Sequence, residues 1–135
     1  MLLLTDDRMD PMSAALLNPL QLAYIGDAVW EITVRQQLVM RRLTVRHMHE
    51  ECVRRVNAKA QAEQMARLET HLTEEEKAIA HRGRNAHAKH PSPRNQDPSD
   101  YAEATAFEAL IGYLYLTDQT DRLRALFRLI FDSES

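Results

Sequence analysis

Two acidic residues stand where a helical pattern calls for apolar ones: Asp27 in Tyr24-Ile25-Gly26-Asp27-Ala28-Val29, and Glu108 in Ala106-Phe107-Glu108-Ala109-Leu110-Ile111-Gly112. A carboxylate inside an apolar helix is costly unless it is paired, hydrogen-bonded or bound to a metal. Each acid also has a glycine within one turn, Gly26 and Gly112. A glycine in a helix interior costs about 1 kcal/mol relative to alanine, so something is expected to pack closely on these helices, each on the other being one arrangement. If they cross there, the acids form a paired carboxylate site. Such a pair suits a hard divalent cation such as magnesium, which takes one or two protein carboxylates, keeps several waters and accepts phosphate oxygens. The alternative is structural: each acid pairs with a buried arginine or caps a neighbouring helix. Periodicity alone does not decide whether the two helices touch.

The elements that must position these acids can be read from caps and spacing. Asn18-Pro19 predicts an N-cap with proline at the first helical position, opening a helix that runs to about Met40. At 3.6 residues per turn, Leu20, Ala23, Asp27, Glu31, Val34 and Leu38 share one face, and Leu22, Ile25, Val29 and Ile32 the opposite one. A helix apolar on both sides is expected at the centre of the core. Thr44 is expected to cap a second helix with Val45, Met48, Cys52, Val53 and Val56 facing inward, and Ala58 to Leu68 forms a third after a bend near Asn57. Thr73-Glu74-Glu75-Glu76 fits a capping box, opening a helix that fades near Gly83. Pro91, Pro93 and Pro98 mark a loop from about Ala86 to Pro98, after which Ser99 or Asp100 restarts a helix through Leu116. A last amphipathic helix is expected from about Asp121 to Phe131.

The 135 residues suit one domain with one core, and three glycines in the whole chain favour helices over strand-and-turn architectures. The fold class is therefore all-α. Cys52 is the single cysteine, so neither an internal disulfide nor a cysteine-based zinc site is available, and a reducing cytoplasm is the simplest setting. The opening Met1-Leu2-Leu3-Leu4 is too short for a signal peptide or a membrane span, and no membrane association is expected.

The formal net charge of −3 hides an uneven distribution: residues 35–94 carry +6 and the flanks together −9. The basic residues are densest at Arg41, Arg42, Arg46, Arg54, Arg55 and Lys59, and again at Arg82, Arg84, Lys89 and Arg94. No acid lies between Lys77 and Asp97. Charges of this kind often only solvate helix faces, but the second run falls on an expected loop. His81, His87 and His90 within it lack cysteines and regular spacing, and read as extra donors beside phosphate rather than as zinc ligands.

Leu22-Ala23-Tyr24-Ile25-Gly26-Asp27-Ala28-Val29 resembles the signature helix of the ribonuclease III catalytic domain, and Thr105-Ala106-Phe107-Glu108-Ala109-Leu110-Ile111-Gly112 resembles its second acidic helix. Val56-Asn57-Ala58-Lys59-Ala60-Gln61-Ala62 and Arg82-Gly83-Arg84-Asn85-Ala86 are similar to the Mini-III branch in particular. The resemblance spans about residues 18–131 of a single catalytic domain covering 1–135, and implies no separate double-stranded RNA-binding domain.

What the resemblance implies is a homodimeric, magnesium-dependent endonuclease for double-stranded RNA, leaving 5′-phosphate and 3′-hydroxyl ends and acting in 23S precursor ribosomal RNA maturation. Asp27 and Glu108 carry over as catalytic metal ligands. Where larger family members hold further acids, this chain has Leu20, Ala23 and Thr105. Glu31 either supports a ligand or pairs with Arg35. Duplex RNA hides its base edges in a deep major groove, so contacts are expected mainly at the backbone. The first choices are Arg82, Arg84, Asn85 and Lys89, then Arg94, Asn57 and Lys59. Two other readings stay open at this level: a non-catalytic RNA-binding or assembly protein with the same fold, and an all-helical nucleotide pyrophosphatase.

Overall fold

The computed structural model describes residues 4–86 and 94–134. Seven α-helices follow one another among them: α1 (Pro11–Ala15), α2 (Pro19–Met40), α3 (Val45–Val56), α4 (Ala58–Leu68), α5 (Glu74–Asn85), α6 (Pro98–Leu116) and α7 (Thr120–Ser133). A 3-10 turn, Glu69–His71, extends α4. The described residues contain no strand, and the all-α expectation holds.

Short polar signals set the boundaries. Asn18 caps α2 and, with Gln21, completes a capping box ahead of Pro19. Thr44 caps α3 by accepting from the His47 amide, and Thr73 with Glu76 forms the expected box at α5. Asn57 is the break between α3 and α4: it is extended, and its Oδ1 accepts from the Ala60 amide. Three boundaries differ from expectation. The first helical residue of α6 is Pro98, not Ser99 or Asp100, because Asp97 accepts from both of their amides. Helix α5 passes through Gly83 to Asn85, and α7 extends two residues beyond Phe131. The short α1 was not foreseen; Asp10 and Pro11 provide its cap and first turn.

Helix α6 is the central element. It packs against α2, α4 and α5, and from Ala104 to Leu114 every residue but Glu108 is buried. Trp30 of α2 fills the junction with α7, lying edge-on to Phe107 at 5.1 Å and stacked on Phe131 at 5.8 Å. Its indole N–H donates to the Arg55 carbonyl at 3.1 Å, which also ties α3 to the core. On the far side Glu76, only 3% exposed, receives Arg122 through two bonds of 2.8 Å, while Arg122 also donates to the His71 carbonyl. Burial pushes the Glu76 carboxyl up, but hydrogen bonds from Arg122 and Thr73 outweigh it and hold it below the usual range.

Helices α2 and α3 are less enclosed than their patterns suggest. Leu22, Ala23, Gly26, Val29, Trp30, Val34 and Leu38 are buried on α2, whereas Tyr24 is 85% and Ile32 58% exposed. Only Cys52 is buried on α3; Val45 is 78% exposed and Val53 is exposed as well. The cause is topological: among the described residues no other helix covers this side of the α2–α3 pair, so an apolar face is left exposed.

Candidate active site

Gly26 and Gly112 decide whether the two acidic helices meet. A Cβ placed on Gly26 would lie 1.7 Å from the Glu108 carbonyl oxygen, and one on Gly112 would lie 1.9 Å from the Leu22 carbonyl oxygen. Helices α2 and α6 therefore touch backbone to backbone, and only residues without a side chain fit at the crossing. Asp27 follows Gly26 directly and Glu108 supplies the carbonyl that Gly26 faces, so the crossing brings the two carboxylates to hydrogen-bond distance of each other.

Their environments differ. Glu108 is half-buried, while Asp27 is exposed at the rim of the crossing, which corrects the expectation of two acids enclosed on both sides. The α2–α6 contact line runs through Leu22 and Gly26, and Asp27 lies one residue round the helix from it. Burial pushes the Glu108 carboxyl up to about 9, with the hydrogen bond and the charge of Asp27 acting in the same direction. Burial beside a second acid thus favours the protonated form of Glu108. Loss of that proton would place two negative charges side by side, and a divalent cation would neutralise them. Two adjacent carboxylates, one of them open to solvent, fit magnesium, which fills its remaining positions with water or phosphate oxygens. Among the described residues no group of three or more His, Cys, Asp or Glu side chains is placed to hold an ion.

The neighbouring candidates have other engagements. Thr105 is buried and donates to the Tyr101 carbonyl of its own helix at 2.9 Å. Glu31 pairs with Arg35 at 3.4 Å. Cys52 is a buried core residue beneath the groove between α2 and α3.

Four of the residues expected at RNA have partners within the fold. Arg82 donates to the carbonyls of Ala15 and Leu17, holding the end of α1. Arg84 pairs with Glu103 and, at 3.3 Å, with Glu69, fastening α5 to α6. Asn85 shares a hydrogen bond with His81 at 3.0 Å, and Asn57 spends its amide on the Val53 and Arg54 carbonyls. Lys59 and Arg94 are exposed; Lys89 lies outside the described residues, as do His87 and His90. Gly83 faces α6, its Cβ direction 3.0 Å from Ala106 Cα, so it is a helix contact and not a turn.

One residue of the site escaped sequence reasoning. Gln61 of α4 is 2% exposed and faces Glu108, where it opposes the rise in the carboxyl's pKa. Its enclosed Nε2 has no hydrogen-bond partner. Such an orphaned donor costs about 1–3 kcal/mol. The available signal was spacing: Gln61, Gln64, Met65 and Leu68 form the i, i+3, i+4, i+7 face that α4 buries.

Comparison with known proteins gives this geometry a family. The profile of the Ribonuclease III domain matches residues 20–119, which include both helices of the crossing. A Mini-ribonuclease 3 of Gloeobacter violaceus is 45% identical over 121 residues, 90% of this chain and 87% of that one. The chain belongs to the ribonuclease III family, in its Mini-III branch. A second Mini-ribonuclease 3, from Symbiobacterium thermophilum, is 44% identical over 117 residues, 86% of this chain and 89% of its own. The crystal structure of a Fusobacterium nucleatum protein superposes with a TM-score of 0.83 at 28% identity, covering 94% of this chain and all of the other. As a Mini-III family member the chain is an endoribonuclease of the ribonuclease III type, and its substrate is RNA. The non-catalytic and pyrophosphatase readings fall away.

Proposed function

We propose that the chain cleaves double-stranded RNA with magnesium held by Asp27 and Glu108, leaving 5′-phosphate and 3′-hydroxyl ends. The observation that carries this reading is the glycine-to-backbone crossing of α2 and α6, which leaves no room for a side chain and sets the two carboxylates together. Magnesium bound there would supply Lewis acidity, lowering the pKa of a water and offsetting charge on the phosphate. Asp27, at the solvent rim, meets the substrate side of the site. Glu108, on the inner side of the site, would hold the cation in its ionised form. No side chain of the site is required as a nucleophile.

Exposed Lys59 and Arg94 support backbone contacts with an RNA duplex, joined by Lys89 and by Arg82 and Asn85 at the exposed end of α5. Arg84 contributes mainly by fixing α5 against α6. The uncovered apolar face of α2 and α3, Tyr24, Ile32, Val39, Val45 and Val53 among its residues, supports a homodimer in which two sites act on opposite strands. The natural substrate we assign is precursor ribosomal RNA in the cytoplasm. No helix among the described residues is long and apolar enough to cross a membrane. The test is incubation of a long RNA duplex with and without magnesium, followed by mapping of the product ends. Magnesium-dependent cuts with 5′-phosphates support the reading; binding without cleavage would overturn it.

A further inference from the structure

Helix α4 buries two glutamines, and only one is explained by its neighbours. Gln64 donates to Glu134 at 3.4 Å and accepts from Arg67 at 2.7 Å. Gln61 is as deeply buried, yet its Nε2 is enclosed without a partner. Buried polar groups are nearly always paired, so an exception calls for a reason. Packing is not that reason: the adjoining buried positions, Met65 and Leu68, show that an apolar side chain of similar size suits this face of α4. What distinguishes position 61 is the group it faces, the Glu108 carboxylate, which Asp27 reaches from the solvent side.

We infer that Gln61 is a positioning residue for the metal site: its amide, otherwise without a partner, would donate to the ionised Glu108 carboxylate and hold it in the orientation needed to share a divalent cation with Asp27. A carboxylate that ligates a cation through one oxygen can accept a hydrogen bond at the other, and such supporting donors typically change metal affinity or activity 10- to 100-fold. The inference rests on Asp27 and Glu108 being the metal ligands. Gln61 touches neither substrate nor cation; it acts through Glu108.

The experiment compares the parent protein with Gln61→Met and Gln61→Leu, which keep the bulk and remove the donor, and with Asp27→Asn. Two quantities are read against magnesium concentration: the melting temperature in the absence of RNA, and the rate of duplex cleavage. Both Gln61 variants should melt at or above the parent's temperature without metal. They should require about tenfold more magnesium for half-maximal thermal stabilisation and half-maximal cleavage. At limiting magnesium kcat falls while KM for RNA is unchanged, a split that a packing defect would not produce. Parental magnesium dependence in a folded variant would overturn the inference alone, with the ligand assignment intact. Loss of fold in both variants would assign Gln61 to packing and overturn it as well. A parent that gains no stability from magnesium, or an Asp27→Asn variant that responds as the parent does, would overturn the ligand assignment and the inference with it.

Discussion

Glu108 couples the chemistry of the site to the stability of the fold. Its carboxyl is pushed up to about 9 in the folded chain against an ordinary value of 4.5. Between those values the unfolded chain has lost a proton that the folded chain keeps, so stability falls as pH rises from about 4.5 towards 9. In metal-free buffer the melting temperature should therefore drop across this window, and Glu108→Gln, which stays neutral, should drop less. The difference at pH 8 is on the order of 1–3 kcal/mol in favour of the variant, measurable by thermal or urea unfolding. The cation competes with the same proton, so magnesium should bind more tightly as pH rises and restore the parent's stability without affecting Glu108→Gln. The acids themselves were legible because they interrupt apolar patterns beside glycines. Gln61 was not, because a glutamine in an alanine-rich helix looks solvated until the face of α4 is known.

The three glycines are contacts of one helix with its neighbours. Gly26 meets the backbone of α6, Gly112 lies in α6 and meets the backbone of α2, and Gly83 meets α6 from α5. Backbone atoms cannot move aside as a side-chain end can. Gly26→Ala and Gly112→Ala should each destabilise by roughly 3 kcal/mol or more and lower cleavage by separating the acids. Gly83→Ala meets atoms no closer than 3.0 Å, and its gain in helix propensity of about 1 kcal/mol offsets much of the strain; chemical denaturation of the three variants should give that order. The caps at Asn18, Thr44 and Thr73 made most helix starts readable. The start of α6 was misplaced because Asp97-Pro98 reads as loop when Pro91 and Pro93 precede it. The Glu76–Arg122 pair was invisible because it joins residues 46 positions apart. Arg122→Ala would strand the buried carboxylate, and should cost about 2–3 kcal/mol, less than a fully buried pair because Arg122 is partly exposed. The loss should shrink as pH falls and Glu76 takes a proton.

At the scale of the molecule, net charge was a poor guide and its distribution a better one, yet the basic segment does two jobs. Arg82 and Arg84 hold helices together, while Lys59 and Arg94 face solvent; sequence cannot separate these roles because both use the same residue type. The apolar pattern of α2 and α3 was likewise readable, but the exposure of one face among the described residues was not, since that depends on where α6 and α7 go. If this face joins two subunits, Ile32→Asp should shift sedimentation from dimer to monomer, and a fully active monomeric parent would contradict the dimer. The central claim is that Asp27 and Glu108 act together as the cation-binding pair of an RNA-cutting site. It is tested most directly by duplex cleavage in magnesium with Asp27→Asn and Glu108→Gln, alongside a binding measurement on each. Each variant should bind the duplex as the parent does and cut it slower by on the order of a hundredfold or more; cleavage at the parental rate by either folded variant would contradict the account.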